Sequence, residues 1–195
     1  KRPVYLTEGI SLQESLIQQL GFKNLSEREM TIAKYIIGSI DDDGYLRRDL
    51  TSIADDIAFS TGIDATVDEV EKTLHTIQQL EPVGIGSRNL KECLLLQLDA
   101  LPELNPAQKL ARKILTSYFD EFTKKHYEKL ISRLSVSEDE FRHAIDEIVR
   151  LSPKPGNLYS DDKSTTQPYI TPDFTLDYQN GIFDLRLNSA NVPDL

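Results

Sequence analysis

Three histidines, one cysteine, a run of three aspartates and a pair of close glycines are the residues of this 195-residue chain whose types invite chemistry. His75, His126 and His143 have no second histidine or carboxylate at a metal-ligand spacing such as His-Glu-x-x-His, and His75 and His143 fall on polar helix positions. Gly84-Ile85-Gly86 precedes a helix and so could cradle phosphate. It lacks a third glycine, a closing Lys-Ser/Thr and a preceding strand, so a tight helix-to-helix turn is expected. Asp41-Asp42-Asp43-Gly44 hints at calcium, but the twelfth position from Asp41 is Ser52 rather than the closing glutamate, so a polar turn is expected there too. Cys93 sits on an apolar helical stripe, where free cysteine acts as a small hydrophobe. These residues imply no cofactor, no metal and no enzyme.

The elements that would position them begin at capping boxes. In Ser11-x-x-Glu14, Ser26-x-x-Glu29, Thr66-x-x-Glu69 and Ser137-x-x-Glu140 a hydroxyl takes one orphan amide proton and a carboxylate returns for another. Apolar residues at helical spacing follow each box: Leu12, Leu16, Ile17 and Leu20, ended by a Gly21 suited to a left-handed cap; then Ile32, Ala33, Ile36, Ile37 and Ile40. Leu50, Ile53, Ala54 and Ile57 mark a shorter helix, and Val70, Leu74, Ile77 and Leu80 one that stops at Glu81-Pro82. Ser87 is expected to open a helix with Leu90, Cys93, Leu94, Leu98 and Leu101 on one face. Asn105-Pro106 opens another, over about 106 to 123, lined by Ala111, Ile114, Leu115, Tyr118, Phe119 and Phe122.

An internal repeat emerges at an offset of 71 residues. Asp68, Glu69, Ile77, Leu80 and Pro82 meet identical residues at Asp139, Glu140, Ile148, Leu151 and Pro153, and each copy follows a longer and then a shorter helix. The fold expected is mainly α: two related three-helix subdomains with additional helices, followed by a C-terminal β-hairpin. The boundaries read as 1–104, 105–159 and 160–195, the last a polar linker and a hairpin. Ile170, Phe174, Leu176, Tyr178, then Phe183, Leu185 and Leu187, alternate with polar residues about Asn180-Gly181, a pair that tolerates the positive φ of a two-residue turn.

Charge narrows the class further. The net charge of −10 is distributed as −8 over residues 1–104, +2 over 105–159 and −4 over 160–195. Duplex affinity comes largely from displacing phosphate counterions, and this balance supplies no overall basic footprint. No apolar run reaches the ~18 to 20 residues of a membrane span, and the start at Lys1 rather than Met reads as an excised fragment. A soluble, cytoplasmic interaction scaffold is the expectation. A helix-turn-helix DNA-binding module or a generic helical adaptor remain alternatives.

Several strings converge on one family. Ile40-Asp-Asp-Asp-Gly-Tyr-Leu46, then Glu81-Pro-Val-Gly-Ile-Gly-Ser-Arg-Asn-Leu90 leading into Glu92-Cys-Leu-Leu-Leu-Gln-Leu98, then Leu151-Ser-Pro-Lys-Pro-Gly156, and Tyr169-Ile-Thr-Pro-Asp173 with Leu187-Asn188 and Pro193, closely resemble the core-binding region of the bacterial RNA polymerase sigma-54 (sigma-N) factor. The resemblance implies binding to core polymerase, chiefly its β and β′ subunits. It implies that promoter DNA and an AAA+ activator ATPase are engaged only through regions outside this fragment. Turns between helices are exposed, so Asp41, Asp42, Asp43, Tyr45, Arg88 and Lys91 are the expected core-polymerase contacts, with Arg88 equally able to hold its turn by bonding helix carbonyls. In the basic middle segment, which also carries Arg112 and Lys113, Lys124, Lys125 and Lys129 are expected as a minor phosphate contact.

Overall fold

A helix start leaves backbone N–H groups without intrahelical partners, and this chain closes that gap with short polar side chains. The computed structural model describes residues 9–159 and, beyond them, the backbone of Phe174–Gln179 (β1) and Ile182–Leu187 (β2). Ser11, Ser26, Thr66 and Ser137 cap α1 (Leu12–Leu20), α2 (Glu27–Ser39), α4 (Val67–Ile77) and α9 (Glu138–Val149), each with the reciprocal bond from the glutamate three residues on. Asn105 and Gln108 form the same box at α6 (Pro106–Ser117), and Asp49 caps α3 (Leu50–Thr61) through the Ser52 amide. Each such cap contributes about 1 kcal/mol relative to alanine. The remaining helices are α5 (Leu90–Asp99), α7 (Phe119–Thr123) and α8 (Tyr127–Leu134), with a 3-10 turn at Pro155–Tyr159.

Four boundaries differ from expectation. Gly21 ends α1 in right-handed geometry, at φ −59°, and the left-handed cap belongs instead to Gly62 after α3, at φ 73°. The helix expected to reach Glu81-Pro82 ends at Ile77, because the chain turns there to bring Leu80 and Ile85 into the core. Ser87 opens no helix: it is wholly buried and its hydroxyl bonds Gly84 O, while Asn89 Oδ1 accepts the Glu92 N–H at 2.9 Å and does the capping. The helix expected over 106 to 123 is broken at Tyr118, φ −133° and ψ 29°, and Leu101, expected on the buried face of α5, lies beyond its end and is 39% exposed.

Residues 9–96 and 154–159 form one compact unit, and residues 97–153 another. In the first, α2 packs on α4 and α3, and α1 on α2, around Leu16, Leu20, Ile32, Ile36, Ile37, Ile53, Ile57, Leu74, Ile77 and Ile85. In the second, α6 packs on α9 over Ala111, Ile114, Leu115, Phe141, Ala144, Ile145 and Ile148. Tyr127 stands between Phe122 and Phe141, with ring centroids 6.3 and 5.6 Å away in tilted contacts.

One bond pattern occurs in both units. Gln19 Nε2 donates to Glu81 O at 2.6 Å and Gln19 Oε1 accepts the Glu81 N–H at 2.7 Å. Gln97 Nε2 donates to Ser152 O at 2.7 Å and Gln97 Oε1 accepts the Ser152 N–H at 2.8 Å. Glu81 and Ser152 stand at the same offset of 71 as the repeat, each before a proline.

Beyond residue 159, the backbones of β1 and β2 run antiparallel with Phe174 opposite Leu187 and Gln179 opposite Ile182. The Asn180-Gly181 turn and the linker from 160 to 173 lie outside the described residues, as does any surface that a hairpin would cover.

Glu69 does double duty as a capping carboxylate and as the partner of Arg28, whose Nε and Nη2 donate to it at 2.9 and 3.0 Å. The Arg28 guanidinium first, and the Thr66 amide second, hold its carboxyl down at about 2 against an ordinary 4.5. A folded value below the unfolded one gives stability that is complete above about 4.5 and lost as pH falls toward about 2. Thermal melts from pH 7 to pH 2 should therefore show Glu69→Gln less stable than the parent at neutral pH, with the gap closing across that acid window. A constant gap would mean that Glu69 contributes nothing through its charge.

Candidate protein-docking surface

Residues 41–46, 86–87 and 156, from three of the motifs, meet in the first unit as one knot of backbone. Asp41 N–H bonds Tyr45 O and Gly44 N–H bonds Asp41 O, both at 2.9 Å, closing the aspartate turn on itself. Gly44 O then accepts the Gly86 N–H at 2.8 Å, Leu46 N–H donates to Ser87 O at 2.9 Å, and Gly156 N–H donates to Asp43 O at 2.9 Å. Gly44 must be glycine, with φ 96° and the Gly156 nitrogen 2.9 Å from where its Cβ would stand. A Cβ on Gly156 would lie 2.2 Å from Asp42 O. The glycine pair 84–86 is thus a packing device, with φ 95° and 75°, as its spacing implied.

This knot sorts the expected contact residues. Asp41 is half-buried, with Oδ1 accepting the Tyr45 N–H at 2.9 Å and Oδ2 accepting Arg47 Nε at 2.7 Å. Asp42 is exposed and its side chain enters none of these bonds. Asp43 is half-buried near Arg47 and Lys154, at 4.0 and 3.9 Å. Tyr45, expected to be reachable in the turn, is only 5% exposed: the knot folds it inward, and its hydroxyl meets the Cys93 thiol. Burial, and then Cys93, push that phenol well above its ordinary range. Cys93 is fully buried, which accords with a packing role.

Arg88 bonds carboxylates rather than helix carbonyls. Its Nε donates to Glu92 at 2.9 Å and its Nη1 to Glu71 at 3.3 Å. Gln78, itself buried, donates to Gly86 O at 3.1 Å and to the other oxygen of Glu92, so α4, the glycine turn and α5 share one polar strap. Lys91 is half-buried one turn on. In the second unit Lys124, Lys125 and Lys129 are exposed, Lys125 at φ 60°. They do not border the open surface depression of about 350 Å³ beside Lys109, Arg112, Lys113, Thr116 and Ser117 of α6.

Sequence reasoning passed over the exposed apolar side chains. Phe22 is 92% and Phe59 94% exposed, and Leu158 is 79% exposed, all three in the first unit. A signal for Phe59 existed: it falls off the α3 stripe of Leu50, Ile53, Ala54 and Ile57. Among the described residues no His, Cys, Asp or Glu group could hold a metal ion, and no helix is long and apolar enough to cross a membrane.

The first unit thus presents a turn knot with a charged rim, and two phenylalanines protrude from its surface. The family model for the sigma-54 factor core binding domain matches residues 4–195, and the chain belongs to that family. It is similar to the RNA polymerase sigma-54 factor of Pseudomonas putida, at 37% identity over 96% of this chain and 37% of that protein. Similarity extends to the sigma-54 factor of Bacillus subtilis, at 34% identity over 95% of this chain and 40% of that protein. It extends also to that of Escherichia coli, at 31% identity over 99% of this chain and 39% of that protein. The chain thus spans 37 to 40% of the length of these curated relatives.

The close approach at Gly156 predicts a large effect from a single methyl group. Gly156→Ala sets a side chain against backbone that cannot swing away, at a cost of about 2 to 3 kcal/mol. Urea titration should show a lower midpoint with an unchanged slope, and a midpoint within error of the parent would mean that the knot yields freely.

Proposed function

We propose that this chain is the part of a sigma-54-type initiation factor that holds core RNA polymerase, and that the first unit supplies the main contact. The family match over residues 4–195 carries this reading. The exposed Phe22 and Phe59 support it, since aromatic side chains that no intramolecular neighbour covers are the usual anchors of protein interfaces. Asp42 and Asp43 offer an acidic rim, and Arg88 and Lys91 a basic one; Tyr45, being buried, lies outside the proposed contact surface. The β and β′ subunits are the proposed partners, in the cytoplasm. Promoter reading and the response to an AAA+ activator are assigned to portions of the longer relatives that this chain does not span. The chain is proposed to act as a binder and not as an enzyme.

The organisation proposed with it is a first helical subdomain at 1–104, a second at 105–159, related to it by the repeat, and a linker with a hairpin at 160–195. The glutamine bonds support the relation for the compact units, 9–96 with 154–159 and 97–153, within each of which one glutamine holds the residue before a proline; Gln97 and residues 154–159 fall on the other side of the proposed boundaries. For the hairpin, the Asn180-Gly181 turn should give cross-strand amide contacts between Asp177 and Asp184 by NMR. Their absence would remove the hairpin from the reading.

Mixing the chain with core polymerase, and separately with a labelled promoter duplex, at near-physiological salt tests the function. Retention by core enzyme without sequence-specific duplex binding is expected. Specific promoter binding without core binding would favour a helix-turn-helix module instead. Charge reversal at Asp42 and Asp43, or neutralisation by Arg88→Gln with Lys91→Gln, should weaken core binding several-fold, with circular dichroism and thermal melts reporting separately whether loss of the Arg88 bonds to Glu71 and Glu92 disturbs the fold. If both pairs leave affinity unchanged, the contact surface lies elsewhere.

A further inference from the structure

Ser15, Gln18, Gln19 and Phe22 recur at i, i+3, i+4 and i+7, so they form one stripe that runs along α1 and one turn past its end. That last turn stays helical: Gly21 keeps right-handed geometry and the Phe22 N–H bonds Gln19 O at 3.2 Å. Two other segments of the first unit are tied to the stripe by its own side chains. Gln19 holds the Glu81 peptide, and its Nε2 also stands 3.5 Å from Ser15 Oγ, which in turn meets the Tyr159 hydroxyl at 2.9 Å. Each tied segment leaves an apolar side chain outside, Val83 two residues beyond Glu81 and Leu158 beside Tyr159, and Phe22 ends the stripe almost fully exposed. We propose that Phe22, Val83 and Leu158 form one apolar docking patch, and that its occupant is an uncharged, apolar segment of the protein partner.

The polar surroundings select that occupant. Among the stripe and residues 81–83 and 157–159 the one charged side chain is the Glu81 anion, in a chain where 28% of residues are charged. With no cation among them, these residues have nothing to neutralise a phosphate, a partner carboxylate or an anionic lipid headgroup. A strongly basic segment fits no better, since one carboxylate cannot match a cluster of lysines or arginines and the surplus charge would be desolvated unpaired. Aliphatic and aromatic side chains, by contrast, gain by covering Phe22 and Leu158. The exposed Gln18 amide can bond main-chain peptide groups, as Gln19 already does with Glu81.

The bonded run from Glu81 through Gln19 and Ser15 to Tyr159 fixes the three segments before any partner arrives, which lowers the ordering cost of binding. Given the docking to core polymerase proposed above, on which this inference rests, the patch supplies affinity that salt does not screen, beside a charged rim that salt weakens.

Core polymerase is titrated with the full chain and with Phe22→Ser/Leu158→Ser at about 0.1 and about 1 M salt, between which the Debye length falls from about 10 to about 3 Å. Serine adds no charge and both positions are exposed, so the variant should keep the parent's circular dichroism and melting temperature. The expected result is a loss of affinity of at least about tenfold, equal at both salt concentrations. Phe22→Leu by itself should stay within about threefold of the parent. Parental affinity in the serine variant would overturn the patch and leave the docking to core polymerase standing, and so would a loss that disappears at high salt. Failure of the parent chain to bind core polymerase would overturn both. Sedimentation of the chain without polymerase is the control for self-association: a dimer formed by the parent and not by the serine variant would overturn the proposal in favour of a second copy of this chain.

Discussion

The tightest constraint in the first unit is the seating of the Gly156 peptide against the backbone of residues 42–44. Its N–H bonds Asp43 O at 2.9 Å, and no room remains for a side chain. Because Gly44 in turn bonds Gly86, and Leu46 bonds Ser87, this one approach locks the turn after α2 to the turn before α5. Both turns would otherwise be short polar connections with few long-range contacts. The knot converts them into a rigid platform whose outer edge carries Asp42 and Asp43, so the charged rim is held by main-chain bonds and not by its own side chains. Arg88 follows the same logic, with Glu71, Gln78 and Glu92 engaging it in a network. A partner would meet Arg88 already oriented, and would compete with two carboxylates for its donors.

Much of the helical fold was legible because its determinants are local. A hydroxyl or amide at the cap and a glutamate or glutamine three residues later fix a helix start within a four-residue window, and all of the expected boxes form. Errors arose where the decisive partner is distant. Nothing near Tyr45 announces that the knot will bury it beside Cys93, 48 positions later in the chain. Ser87 has the composition of a cap, yet a parallel bridge to Tyr45 draws it inward and passes the capping role to Asn89. Phe59 looks like an ordinary member of a helix until its position off the apolar stripe is weighed.

The two glutamine bonds carry a different lesson. Each glutamine offers one donor and one acceptor to the N–H and C=O of a single residue before a proline, as a neighbouring strand would. What is recognised is the peptide group, so the side chains at positions 81 and 152 take no part in these bonds, and they are glutamate in one unit and serine in the other. Gln19 and Gln97 have no such latitude. A glutamate in either place would face a carbonyl with a lone pair in place of a proton, a reversal that residue-similarity scoring rates as mild. Mutational tolerance here is thus inverted from ordinary intuition: the visibly charged Glu81 is the replaceable member of its pair, and the neutral amide is the one that selection must hold.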